Sequence, residues 1–174
     1  MAEWRIEERL ATLGRVIPLG SRTTGLMVWR DVDFGVDARG LEVGAAFETV
    51  LPLLATPRCS GLEYANETGA PAGEARYYFV IHLDGWKLDL SLWTGGVPAG
   101  VEEWQAELSR RLDAETTPAI LRLKDAWHEL PAYPYTVGGY EICTAVLDHG
   151  VRTLAELDAY LASGGLPTRA EAAR

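Results

Sequence analysis

Alternating polar and apolar residues in the first third of the chain are typical of half-buried β-strands. In DVDFGVD, residues 31–37, aspartate or glycine alternates with valine or phenylalanine. We predict a strand that carries Asp31 and Asp33 on one face of a sheet. RVIPLG, residues 15–20, predicts a shorter strand. Pro18 favours the edge of the sheet for it, because proline has no N–H to donate to a neighbouring strand.

The clearest local signal is a predicted β-hairpin over residues 76–93, RYYFVIHLDGWKLDLSLW. Asp84-Gly85 joins its two strand-forming runs, and this dipeptide suits the positive φ angles of a type I′ turn. A two-residue loop fixes the cross-strand pairs as Leu83 with Trp86, His82 with Lys87, Ile81 with Leu88 and Val80 with Asp89. In this register His82, Lys87 and Asp89 share one face of the hairpin.

Apolar residues at helical spacing predict helices through most of the remaining chain. Three predicted helices are a helix within residues 3–13, one with the buried stripe Val43, Phe47, Val50, Leu51 and Leu54, and one marked by Trp104, Leu108 and Leu112. A fourth runs through Ile120 to Leu130, with Thr117 as its N-cap. The last two run from Tyr140 to Gly150 and from the capping box Thr153–Glu156 to Gly164. Residues 59–64 predict a further strand, and the polar residues 66–75 predict a loop.

The order of these elements predicts an α+β (α/β) fold in which a mixed β-sheet is packed with helices. We place the sheet-containing domain at residues 1–115 and a C-terminal helical segment, packed on it, at residues 116–174. The chain has 174 residues and 48% hydrophobic residues, which is enough for a substantial core.

The charge balance narrows the range of partners. Lys and Arg total 16 against 25 Asp and Glu, and the formal net charge of −9 disfavours long nucleic acid. A small anion that arrives with a divalent cation remains compatible with this charge, because the metal supplies the positive field locally. The two cysteines show neither zinc-site nor disulfide-framework spacing. No apolar run is long enough for a membrane span and no signal peptide is evident, so we expect a cytoplasmic protein without membrane contact.

Three aspartates form the candidate chemistry of the chain. The loop GSRTTGLM lacks the Lys-Ser/Thr ending of a P-loop, and no G-x-G-x-x-G follows a strand, so neither of those phosphate-binding motifs is present. Alternate residues of a strand lie about 6.6 Å apart, close enough for Asp31 and Asp33 to bind one or two divalent ions. Asp89 is the third carboxylate, if its strand lies beside theirs. The alternative is that the aspartates form a solvated strand face.

The pattern Gly20-Ser21, nine residues, Asp31-Val32-Asp33 and a later Asp89 flanked by apolar residues resembles the nucleotidyltransferase superfamily, typified by polymerase β and the aminoglycoside nucleotidyltransferases. The resemblance covers about residues 14–93. It implies that Ser21 and its turn bind the triphosphate, and that Asp31, Asp33 and Asp89 bind Mg²⁺, with two ions expected. Gly20 and Arg22 would complete the phosphate site, although Arg22 is equally well a surface charge.

The resemblance implies transfer of a nucleoside monophosphate from an NTP, with ATP as the expected donor, to the hydroxyl of a small molecule such as an aminoglycoside- or lincosamide-like compound. His82 and Lys87 are candidates for the acceptor pocket, or else a cross-strand pair that faces solvent. Three alternatives stay open: modification of a protein by a nucleotidyltransferase of a toxin–antitoxin pair, a non-catalytic nucleotide-binding module, and a partner-binding protein that uses its tryptophans.

Overall fold

A mixed five-stranded β-sheet forms the centre of the α+β fold in the computed structural model, which describes residues 4–71 and 73–174. The strands are β1 (Arg15–Pro18), β2 (Asp31–Asp37), β3 (Cys59–Asn66), β4 (Arg76–Leu83) and β5 (Trp86–Trp93). Their order is β1-β2-β5-β4-β3, and β2 runs parallel to β5 while the other neighbours are antiparallel. The predicted edge position of the strand that contains Pro18 is confirmed.

The predicted hairpin is confirmed in its turn and in its register. Asp84 and Gly85 both have positive φ, 56° and 75°, as a type I′ turn requires. The four predicted cross-strand pairs, from Leu83–Trp86 to Val80–Asp89, are the pairs that β4 and β5 form. This register places Lys87 and Asp89 on one face of the sheet and Leu88 on the opposite, buried face.

Eight helices accompany the strands in the described residues: α1 (Ile6–Leu10), α2 (Gly20–Thr24), α3 (Val43–Leu54), α4 (Val101–Arg111), α5 (Thr116–Asp125), α6 (Gly139–His149), α7 (Leu154–Ser163) and α8 (Arg169–Ala172). The bounds of α6 and α7 confirm their predicted limits. Residue 3, at the start of the first predicted helix, and Ala72, in the predicted loop, lie outside the described residues.

The predicted apolar stripe of α3 is partly wrong. Its buried residues are Ala46, Val50 and Leu53, whereas Leu51 has 58% of its surface exposed. Ala46 has no exposed surface and belongs to the same hydrophobic cluster as the sheet residues, so the inward face includes a small residue that the predicted stripe omits. Hydrophobicity alone therefore placed the stripe off centre.

Two helix starts also differ from the prediction. Thr117 is not the N-cap of α5, because the helix begins at Thr116. Asp113 instead accepts hydrogen bonds from the backbone N–H of Glu115 at 2.8 Å and of Thr116 at 2.7 Å. The stretch from Gly20 to Thr24, read as a turn and a short connection, forms the single-turn helix α2.

The chain folds into two compact units that do not follow a single cut in the sequence. Unit 1 comprises Met1–Gly25 and Arg30–Ala106, and unit 2 comprises Leu26–Trp29 and Glu107–Arg174. The predicted boundary near residue 115 stays a prediction.

Each unit has its own hydrophobic core. In unit 1 the apolar face of the sheet packs against α1 and α3, and its members include Ile6, Leu10, Val32, Phe34, Val50, Phe79, Leu88 and Leu90. In unit 2 the helices enclose Leu26, Ile120, Leu123, Trp127, Ile142, Leu157 and Leu161. None of the described helices combines the length and the hydropathy that crossing a bilayer requires.

Candidate metal centre

Three aspartates converge on the face of the sheet opposite the unit 1 core. Asp31 and Asp33 lie on β2, and Asp89 lies on the parallel neighbour β5, directly beside Asp33 in the register. Strand alternation turns Val32 and Leu88 to the buried face and leaves the carboxylates together on the other. The predicted proximity of Asp89 to the Asp-x-Asp pair is confirmed.

The carboxylates are close enough to share a cation. One oxygen from each aspartate lies within 4.8 Å of the other two, and no other such group occurs among the described residues. Oxygens that bind one Mg²⁺ ion at about 2.1 Å lie up to about 4.2 Å apart, so a small side-chain rotation suffices. Oδ1 of Asp31 and Oδ1 of Asp89 are buried without a hydrogen-bond partner in the described structure. Buried oxygens of this kind are costly unless a cation binds them, so the three residues fit a divalent metal ion.

Lys87 lies inside this cluster. Its Nζ donates a hydrogen bond to Asp89 Oδ2 at 2.8 Å and lies 3.6 Å from Asp31 Oδ1. The side chains of Lys87, Asp31 and Asp89 are only 15–17% exposed. The ammonium group therefore neutralises part of the negative charge, but it satisfies neither of the two buried Oδ1 atoms.

Burial and charge shift the protonation of the cluster. Burial, and after it the negative charge of Asp33, raise the pKa of Asp31 to about 6, while Lys87 opposes this rise. Burial also lowers the pKa of Lys87, but the hydrogen bond to Asp89 and the charges of the aspartates outweigh it, so that the pKa is raised. Lys87 is thus an ammonium ion at neutral pH.

Gly20 lies directly against Asp33. A Cβ atom on Gly20 would come within 1.9 Å of Asp33 Oδ2, and the φ angle of Gly20 is +72°, so two separate constraints favour glycine. The buried side chain of Gln105 holds this segment in place, accepting from Gly20 N at 3.3 Å and donating to Thr23 Oγ1 at 2.8 Å. The Gly-Ser segment is therefore adjacent to the carboxylates, as its predicted role requires.

The other residues of the predicted phosphate site have different surroundings. Ser21 is half-buried, and its carbonyl oxygen accepts from Thr24 Oγ1 at 3.3 Å. Arg22 pairs with Glu7, and its guanidinium lies 5.4 Å from the ring centroid of Phe34. Since Phe34 belongs to the core face of β2, the structure does not bring the Arg22 guanidinium to the carboxylates. Its phosphate contact stays a prediction, and it would require the side chain to leave Glu7.

The two predicted acceptor-pocket residues separate in the structure. Lys87 is part of the carboxylate cluster, whereas His82 is 43% exposed and its Nε2 lies 3.7 Å from Glu63 Oε1 on β3. Both residues occupy the same sheet face, as predicted from the hairpin register. Their role towards an acceptor stays a prediction.

Sequence reasoning missed one contact and one residue that shape the site. Lys87 is a predicted acceptor-pocket residue, but its contact with the carboxylates depends on the register of β2 against β5, which places it opposite Asp31 and which the sequence does not predict. Gln105 gave no signal, because a single glutamine within an amphipathic helix has no pattern that indicates a contact with Gly20.

Neither protein-family models nor curated protein sequences produce a match to this chain.

Proposed function

We propose that the protein is a Mg²⁺-dependent nucleotidyltransferase that transfers a nucleoside monophosphate from an NTP, ATP being the expected donor, to a hydroxyl group of a small molecule. The observation that carries the proposal is the cluster of three carboxylates, with two buried oxygens that lack a hydrogen-bond partner among the described residues. The resemblance of Gly20-Ser21 and Asp31-Val32-Asp33 to the nucleotidyltransferase pattern indicates which reaction this metal site would catalyse.

In the proposed reaction the acceptor oxygen attacks the α-phosphorus, a new P–O bond forms, and the α–β phosphoanhydride bond breaks to release pyrophosphate. Asp31, Asp33 and Asp89 would hold two Mg²⁺ ions, which supply charge neutralisation for the triphosphate and activation of the acceptor hydroxyl. Asp89 would accept the hydroxyl proton. Gly20, Ser21 and Arg22 would bind the β- and γ-phosphates.

Two observations support the arrangement of these roles. Gly20 is in contact distance of Asp33, so phosphates bound at the Gly-Ser segment would lie beside the carboxylates. The clamp from Gln105 keeps this segment ordered before any substrate binds, which lowers the entropic cost of binding.

The test compares Asp33→Asn with Asp37→Asn in a pyrophosphate-release assay with ATP, Mg²⁺ and a panel of aminoglycoside and lincosamide acceptors. Asp37 is the matched control, because it lies on the same face of β2 but pairs with Arg39 at 3.1 Å. We expect Asp33→Asn to lose at least about 10²-fold of the turnover while Asp37→Asn retains most of it. Equal turnover in wild type and Asp33→Asn would overturn the assignment.

A non-catalytic nucleotide-binding module is the second candidate, and Lys87 favours it. Its ammonium already neutralises part of the carboxylate cluster, so the three aspartates retain less negative charge to hold the two Mg²⁺ ions that turnover would use. Metal-dependent binding of a non-hydrolysable ATP analogue, without pyrophosphate release against any acceptor, would identify this function. Pyrophosphate release with a protein acceptor, but with none of the small-molecule acceptors, would instead identify a protein-modifying nucleotidyltransferase.

A further inference from the structure

The position of Lys87 within the aspartate cluster is unusual for a lysine on a sheet face. Long cationic side chains on strands normally extend to solvent, since their charge is strongly hydrated. Lys87 is instead only 16% exposed, and its ammonium lies against Asp89 and Asp31. Three aspartates on adjacent strands create the negative field that holds it there.

The backbone keeps this ammonium close to the cluster. Lys87 is the register partner of Asp31 on the neighbouring strand, and it precedes Asp89 by two residues on the same face of β5. Its attachment point is therefore fixed by sheet hydrogen bonds on both sides. A cation bound in this way has no translational entropy to lose, so its local concentration near the carboxylates is high.

The ammonium is nevertheless an incomplete ligand for the cluster. It is one positive charge with three donors, and it leaves Oδ1 of Asp31 and Oδ1 of Asp89 without a hydrogen-bond partner in the described structure. A divalent ion carries twice the charge and accepts six or more oxygen ligands. Metal and ammonium therefore compete for the same carboxylates, and a metal ion can also bind the two oxygens that the ammonium leaves without a hydrogen bond.

We propose that Lys87 is a tethered counterion that occupies the cation position of the cluster when metal is absent and weakens metal binding by competition. The inference rests on the metal site of the proposed function and adds a regulation to it. Lys87 stabilises the metal-free fold by offsetting carboxylate repulsion, and it raises the metal concentration at which the site fills. The same side chain thus has opposite effects on the stability of the metal-free protein and on metal affinity.

The experiment measures Mg²⁺ and Mn²⁺ affinity of metal-stripped protein by isothermal titration calorimetry at constant ionic strength, without nucleotide. Lys87→Met removes the ammonium and keeps an unbranched side chain of similar length. We expect its dissociation constant for Mg²⁺ to fall about tenfold or more relative to wild type. We also expect a lower Tm than wild type in EDTA, with the difference closing as Mg²⁺ is added.

Two controls separate competition from a general loss of positive charge. Lys87→Arg keeps the charge and should keep the weak affinity of wild type. Arg76→Met removes a cation from the same sheet face, where Arg76 pairs with Glu67 at 2.6 Å and Ser91 at 2.8 Å, and it should change the affinity less than about threefold. If Lys87→Met does not fold without metal, Lys87→Gln takes its place with the same expectation.

The proposal is overturned if removal of the Lys87 ammonium leaves metal affinity unchanged or weakens it, or if Arg76→Met tightens binding equally. Absence of metal binding in both wild type and the Lys87 variants would overturn it together with the metal site. Tighter metal binding without any pyrophosphate release would refute the nucleotidyltransferase proposal and leave the role of Lys87 intact. Turnover in wild type with an unaltered metal affinity in Lys87→Met would refute the role of Lys87 and leave the nucleotidyltransferase proposal intact.

Discussion

Asp31→Asn should stabilise the metal-free protein at neutral and alkaline pH. Asp31 has a pKa of about 6 in the folded chain against an ordinary value of 3.8, mainly because burial disfavours its charge. Its ionised form therefore destabilises the fold. At about 1.4 kcal/mol per tenfold change in the ionisation constant, the cost is about 3 kcal/mol above pH 6. Asparagine has nearly the same shape and carries no charge, so it removes most of this cost.

The sign of the pH dependence follows from the same two pKa values. Between pH 6 and about 3.8 the folded chain binds the Asp31 proton more tightly than the unfolded chain does, so the cost disappears as the pH falls. The advantage of Asp31→Asn should thus be full above pH 6 and vanish by about pH 4. Taking the difference between the two proteins cancels the pH dependence of the groups that do not interact with Asp31.

The assay is urea denaturation of wild type and Asp31→Asn in EDTA at pH 4.5, 6, 7 and 8, followed by tryptophan fluorescence. Asp37→Asn serves as the matched control, because its carboxylate pairs with Arg39 rather than facing two other carboxylates, and it should give no pH-dependent gain. A constant difference between Asp31→Asn and wild type across this range would refute the reasoning. So would a loss of stability at pH 8.

Two further predictions use matched pairs within the chain. Gly20→Ala should lower the free energy of unfolding by about 1–3 kcal/mol more than Gly25→Ala does. Both glycines have positive φ, but only the Cβ at position 20 would collide, at 1.9 Å from Asp33 Oδ2. Equal losses of unfolding free energy in urea would contradict this. Thr153→Ala should lower the free energy of unfolding by about 1 kcal/mol, because the Thr153 side chain accepts a hydrogen bond from the N–H of Glu156 in a capping box. Thr117→Ala, within the first turn of α5, should lower it much less. Thermal denaturation measures both, and a larger loss in the Thr117 variant would contradict the assigned caps.

The hairpin shows how much the sequence alone can determine. Asp84-Gly85 admits one turn type, that turn fixes the register, and the register places Asp89 on a known face. Every step in this chain of inference is local, with no partner more than about 18 residues away. The convergence of Asp89 with Asp31 needs one more fact, the parallel pairing of β2 with β5 across more than fifty residues. Local periodicity carries no information on that pairing, so the sequence predicts Asp89 as the third carboxylate only on the condition that its strand lies beside that of Asp31 and Asp33.

The incorrect predictions share a physical cause, which is competition from tertiary packing. The inward face of α3 includes the fully buried Ala46, while the larger Leu51 is left exposed. The N-terminus of α5 is capped from Asp113 rather than Thr117, since either residue type can provide the acceptor and the preceding chain decides which one reaches. Lys87 is a separate case: its contact with Asp31 and Asp89 does not follow from the spacing of one strand, while its role towards an acceptor stays a prediction.

The segment Leu26–Trp29 has a consequence for the order in which the chain folds during synthesis. It lies between α2 and β2 in the sequence, yet Leu26 is buried in the core of unit 2 with residues such as Leu123 and Leu161, and its carbonyl accepts from the Lys124 ammonium at 2.8 Å. All residues of unit 1 are made by Ala106, so the sheet and its aspartates can assemble first. Leu26 can be buried in the core of unit 2 only after the helices that form this core have been synthesised. The stretch that links the Gly-Ser helix to the aspartates is therefore the last part of the N-terminal third to reach its final place.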